Sequence, residues 1–133
     1  MQSKQAASPQ PQFDVGSRPI YNSNMFEVGQ LIDAIHAKRF KITDHADEET
    51  RADSLTFDEV LFSVLQGEII ESYPSDKPYP SCLVFGTTFM GDPVHSVWAY
   101  NEESRWAVLV TVYRPDPGRW IDWKTRRKRN ETV

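Results

Sequence analysis

The sequence predicts an α+β domain with two to three N-terminal helices packed on a four-stranded antiparallel sheet. Three observations predict it. Between Met25 and Gly67 apolar residues recur with the 3.6-residue period of amphipathic helices. After Gly67 the period falls to 2, the alternation of half-buried strands. The stretches between these later segments are short and rich in turn residues, which favours antiparallel neighbours and a helices-then-meander layering.

Met25 to Phe40 places Val28, Leu31, Ile32, Ile35 and Phe40 on one helical stripe, with Ser23 or Asn24 as its cap. Phe40-Lys41-Ile42 reads as a short extended link. Thr43 or Asp44 caps a second helix through about Ala52, and acids crowd its first turn, where the helix dipole favours them. Thr56-Phe57-Asp58-Glu59 has the capping-box form and starts a third helix with Val60, Leu61, Val64 and Leu65 as its apolar stripe. Gly67 ends that helix in the left-handed conformation that glycine tolerates. Strands are expected near Glu68–Tyr73, Ser81–Thr87, Pro93–Tyr100 and Trp106–Arg114, and Pro115 and Pro117 stop the last of them.

A chain of 133 residues fits one domain and buries a core without staples. The expected organisation is a disordered tail over 1–19, one domain over 20–123 and a basic C-terminal tail over 124–133. The first segment is rich in Gln, Ser and Pro and buries too little apolar surface to offset its ordering entropy. A lone cysteine, Cys82, cannot form an internal disulfide and reads as a buried, inert thiol. No apolar run reaches the length of a membrane span and no leader pattern opens the chain, so a cytoplasmic protein is expected.

The net charge of −4 hides an asymmetry. From Arg114 onward seven basic residues face three acids, a segment of +4, which leaves the body at −8. An acidic body is poor equipment for non-specific binding of nucleic acid. The C-terminal cluster reads as a solvated tail or as an arm for a phosphate or a partner.

Chemistry-bearing residues are few. His45 precedes Glu49 by one helical turn, a spacing that suits a tuned base or, as the spacing alone favours, a surface pair. No further His or Cys lies close enough to complete a metal signature, and no metal or cofactor is expected. His95 sits inside an apolar strand, on the face of Val97 and Ala99, and is either a satisfied core residue or part of a site. An asymmetric loop at Glu102–Ser104 puts it opposite Thr111, on a face shared with Leu109 and Tyr113, whereas a one-residue slip puts Val112 there. Arg51 reads as a partner for Asp47 or Glu48.

The stretch from Ile42 to Gly86, ITDHADEETRADSLTFDEVLFSVLQGEIIESYPSDKPYPSCLVFG, followed by GDPVHSVWAY and VLVTVYRPDPGRW, resembles the bacterial family catalogued as domain of unknown function 4258, over about Phe26 to Arg127. The resemblance implies a fold similar to small ribonuclease toxins of the RelE and barnase-like group, with a zinc-ribbon antitoxin-like protein and RNA as partners. Its characteristic polar positions fall on His45, His95, Thr111 and Tyr113. A ribonuclease of this type takes the 2′-OH proton with a base, protonates the leaving 5′-oxygen and surrounds the phosphorane with cations. His45 or His95 would be base and acid, Thr111 and Tyr113 hydrogen-bond donors, and Arg51 or Arg114 phosphate contacts. The family's arginine-rich His-x-x-x-Arg-x-x-x-Arg helix is altered here, since Glu49 and Asp53 occupy the arginine positions. Two readings follow: a metal-independent endoribonuclease, or a non-catalytic interaction module whose second and third helices, net −6 from Asp44 to Glu59, dock a basic partner. A toxin-like domain that keeps only the fold stands third.

Overall fold

The computed structural model describes residues 25–128, so the expectation for residues 1–19 lies outside it. In chain order the elements are α1 (Val28–His36), β1 (Phe40–Ile42), α2 (Asp44–Ala52), α3 (Phe57–Leu65), β2 (Glu68–Tyr73), β3 (Ser81–Thr87), β4 (Pro93–Asn101), β5 (Trp106–Tyr113), β6 (Trp120–Ile121) and β7 (Thr125–Arg126). The class is α+β with three helices, as the two periodicities predict. The sheet departs from expectation. It has five strands in the order β1-β5-β4-β3-β2 and is mixed, because the segment read as a link, Phe40–Ile42, pairs parallel to β5. Three residues are too few to show a strand period, and a parallel partner more than sixty positions away leaves no local mark.

Caps set the helix starts. Thr43 Oγ1 accepts from Ala46 N at 3.0 Å, and Thr56 with Glu59 forms the expected capping box. For α1 the cap is Glu27, boxed with Gln30, rather than Ser23 or Asn24.

The helices cover one face of the sheet. Leu31, Ala34 and Ile35 of α1, Ala46 of α2, and Val60 and Val64 of α3 meet Cys82, Val84, Val94, Trp98, Ala107, Leu109 and Val112. Each fully buried aliphatic side chain here contributes about 1.5–3 kcal/mol. Cys82 is a buried free thiol that burial holds well above the usual thiol range, which keeps it protonated.

Two glycines let α3 approach the sheet. A Cβ on Gly86 would lie 1.7 Å from the Ser63 carbonyl oxygen, and one on Gly67 would lie 2.6 Å from the same atom and 2.8 Å from Phe85 O. Gly67 was expected to supply a positive φ. Its φ lies outside the left-handed region, and what requires glycine is the closeness of two backbones.

The register of β5 also differs from expectation. Val97 pairs with Thr111 and the next residue, Trp98, with Leu109, so Val110 is an extra, bulged residue. The bulge puts Ala107, Leu109 and Val112 on the helix face and turns Thr111 and Tyr113 to the other. His95 consequently sits opposite Tyr113 and not Thr111.

Candidate functional site

Past Leu109, where β1 ends, the outer edge of β5 would show unpaired N–H groups. Helix α2 takes over that edge with side chains. Glu49 Oε1 accepts from Val112 N at 3.0 Å and also from Thr111 Oγ1, and Asp53 Oδ2 accepts from Arg114 N at 2.8 Å. The match is geometric. Residues four apart on a helix are about 6 Å apart along its axis, and alternate strand residues about 6.7 Å. Two carboxylates on one helix face therefore meet two successive edge N–H groups. The charge of these two carboxylates is spent on the β5 backbone.

His45 stands one turn before Glu49, with Nε2 3.2 Å from Glu49 Oε2. Its side chain is 66% exposed, so this is a surface contact of small worth. Arg51 pairs with Asp47 at 3.0 Å, one of the two partners expected from the sequence. Arg114 caps the end of α2, with Nε donating to Asp53 O at 2.7 Å and Nη2 to Ser54 O at 3.2 Å. A cation on the last carbonyls suits the negative end of the helix dipole. Both arginines proposed as phosphate contacts thus hold acidic or carbonyl partners of the chain itself.

His95 is fully buried, at 0% exposure. Its Nε2 lies 2.6 Å from the Trp123 carbonyl oxygen and its Nδ1 3.2 Å from Tyr113 Oη. A carbonyl can only accept, so Nε2 carries the proton and the neutral ring accepts the Tyr113 O–H at Nδ1. The Trp120 ring packs edge-on against the imidazole with centroids 4.4 Å apart. Burial lowers the His95 pKa, opposed by the hydrogen bond to Trp123 and the charge of Glu71. The Tyr113 hydroxyl is pushed up by burial.

The structure therefore joins His95 to Tyr113, and Thr111 to Glu49 and His45, but no hydrogen bond links the two histidines, since both His95 ring nitrogens are taken. Sequence reasoning read Trp120 as sheet cover but missed the hairpin that carries it over His95, β6 and β7, which form a two-stranded sheet of their own. It missed as well a polar cluster beside that cover, in which Tyr73 donates to Glu71 and the Arg126 guanidinium grips the Glu71 carboxylate with both forks, at 2.7 and 3.1 Å. The one available signal was the excess of cations after Arg114 above an acidic body. Among the described residues no group of three or more His, Cys, Asp or Glu is placed to hold a metal ion, and no helix is long and apolar enough to cross a membrane.

The family model described as Domain of unknown function (DUF4258) matches residues 42–114. The chain belongs to this family. The matched span runs from the end of β1 to just past β5, so it includes α2, α3 and the antiparallel strands, while α1 and the β6–β7 hairpin fall outside it. No curated protein and no solved structure matches the chain.

Proposed function

We propose that this DUF4258 chain is a non-catalytic interaction module that docks a basic partner on the acidic surface of α2 and the start of α3. One observation carries the reading: Glu49 and Asp53, the positions that the family resemblance would give to arginine, are carboxylates committed to the N–H groups of β5. A phosphate brought there meets carboxylates, which repel it. Around them Asp44, Glu48 and Asp58 are exposed and, among the described residues, take no ion pair. Such a surface steers and orients a cationic partner. A small zinc-ribbon antitoxin-like protein, the partner class that the family resemblance implies, fits if its facing surface is basic. Charge neutralisation tests the reading. The Asp44→Asn/Glu48→Gln/Asp58→Asn variant should lose binding of a lysine-rich helical peptide while its melting changes little. Full binding by the neutralised chain would refute it.

A second reading, a RelE/barnase-like endoribonuclease, draws on the helices-then-sheet order and on His45, which is exposed and oriented by Glu49 in the manner of a general base. RNA cleavage abolished by His45→Ala in a folded chain would select it over the docking module.

A further inference from the structure

The sheet face away from the helices is not a plain apolar core. Glu71 and Tyr73 of β2, His95 of β4 and Tyr113 of β5 are charged or polar, and the β6–β7 hairpin bonds to Glu71 and His95, the partners of Tyr73 and Tyr113. The hairpin is attached in an unusual way. Its strands pair only with each other, and the loop between them is closed by Lys124 N donating to Ile121 O at 3.0 Å. No ladder joins them to the five-stranded sheet. What holds them there is Arg126 on Glu71, Lys124 on Glu68 at 2.8 Å, the Trp120 ring on His95, and the Trp123 carbonyl on His95 Nε2. The two ion pairs are half in water and weaken with salt.

The turn itself is strained. Asp122 and Trp123 have φ of 52° and 67°, a left-handed pair that favours Asn-Gly and makes a tryptophan an outlier. A two-stranded hairpin of this size is marginal by itself. It can leave as a unit without orphaning sheet backbone, on a connection that contains Pro115, Pro117 and Gly118.

We propose that the β6–β7 hairpin is a displaceable plug over a peptide-binding site, and that the ligand is a basic, aromatic polypeptide segment that takes the hairpin's place. The hairpin shows what the site accepts. A guanidinium forks onto Glu71, a ring stands edge-on to His95, and a backbone carbonyl receives the His95 proton. With the hairpin gone, Glu71 and His95 are uncovered, and a segment that repeats the hairpin's contacts recovers the same charge-assisted and carbonyl hydrogen bonds. Carboxylates at Glu68 and Glu71 exclude a phosphate or an RNA strand and select a cation. None of these residues belongs to the Asp44, Glu48 and Asp58 surface, so this site stands or falls separately from the docking proposed above.

The test uses the full chain and a synthetic peptide of residues 119–127, RWIDWKTRR. In the wild type the tethered hairpin competes with the peptide, so Arg126→Ala should tighten peptide binding by about ten-fold or more. The NMR signals of His95 and Tyr113 should report that binding, and adding Glu71→Gln to Arg126→Ala should remove the gain. Equal binding by wild type and Arg126→Ala, or a gain that survives Glu71→Gln, overturns the proposal. Hydrogen exchange on the wild-type chain decides the matter even if the variants fail to fold. The Lys124 and Arg127 amides should open well before β3–β5 and faster still in high salt, whereas exchange of both amides only together with β3–β5 overturns the plug.

Discussion

Replacing Glu49 by alanine should cost far more stability than a half-exposed acid on a surface helix normally contributes. The buried Val112 N–H loses its acceptor, and water has no ready access to it, so the unmade bond costs about 1–3 kcal/mol. Thr111 Oγ1 loses its partner as well, and the loss of charge-assisted bonding places the expected total at about 2–4 kcal/mol. Glu49→Gln keeps an oxygen for Val112 N and should stay within about 1 kcal/mol of wild type. His45→Ala removes only the exposed partner and should cost about 0.5 kcal/mol. Urea unfolding followed by circular dichroism measures all three, and hydrogen exchange at Val112 locates the effect. Loss of less than about 0.5 kcal/mol in Glu49→Ala, with Val112 still protected, would refute the claim that α2 carboxylates complete the β5 edge.

Gly86→Ala forces a Cβ to within 1.7 Å of the Ser63 carbonyl oxygen, so α3 must lift off the sheet at a cost of about 1–3 kcal/mol or more, while Gly29→Ala, with nothing within 4 Å, should be neutral or stabilising; a thermal melt of each distinguishes them. Gly67→Val should destabilise by about 1–3 kcal/mol through contact with Ser63 O and Phe85 O, and an unchanged melt would show that the close approach is not what glycine serves there. His95 prefers its neutral form in the fold, so below its ordinary pKa of 6.5 the unfolded chain binds more protons than the native one. Stability should therefore be full above pH 6.5 and fall with decreasing pH down to the lowered native pKa, at up to about 1.4 kcal/mol per pH unit; a His95→Gln variant should lack that slope, and an identical slope would contradict the burial argument.

The antiparallel strands were legible because nothing competes with their signal. Each is a run of four or more alternating or apolar residues stopped by Pro, Gly or Asn. The bulge at Val110 was invisible for a related reason. WAVLVTVY is apolar at nearly every position, so inserting one residue changes which side chain faces the helices without breaking any pattern. Thr56, Glu59 and Thr43 announced their caps locally. Glu49 and Asp53 could not announce their role, since the N–H groups that donate to them lie more than sixty positions away and depend on how α2 lands on β5. The same holds for His95. Its place in an apolar strand was readable, but its cover comes from a hairpin whose few apolar residues, Trp120, Ile121 and Trp123, are interleaved with charges that read as a solvated tail. The position of Gly67 was readable from the change of period, whereas its reason, contact between two backbones, exists only in the fold.

The docking account is tested most directly by where a cationic partner lands on the wild-type chain. Titration of the ¹⁵N-labelled protein with a lysine-rich helical peptide free of aromatics, followed by amide chemical shifts, gives that location without any mutation. The account predicts perturbations concentrated between Asp44 and Glu59 and erased by raising the salt concentration. Shifts that fall elsewhere, or no binding at low salt, would contradict it.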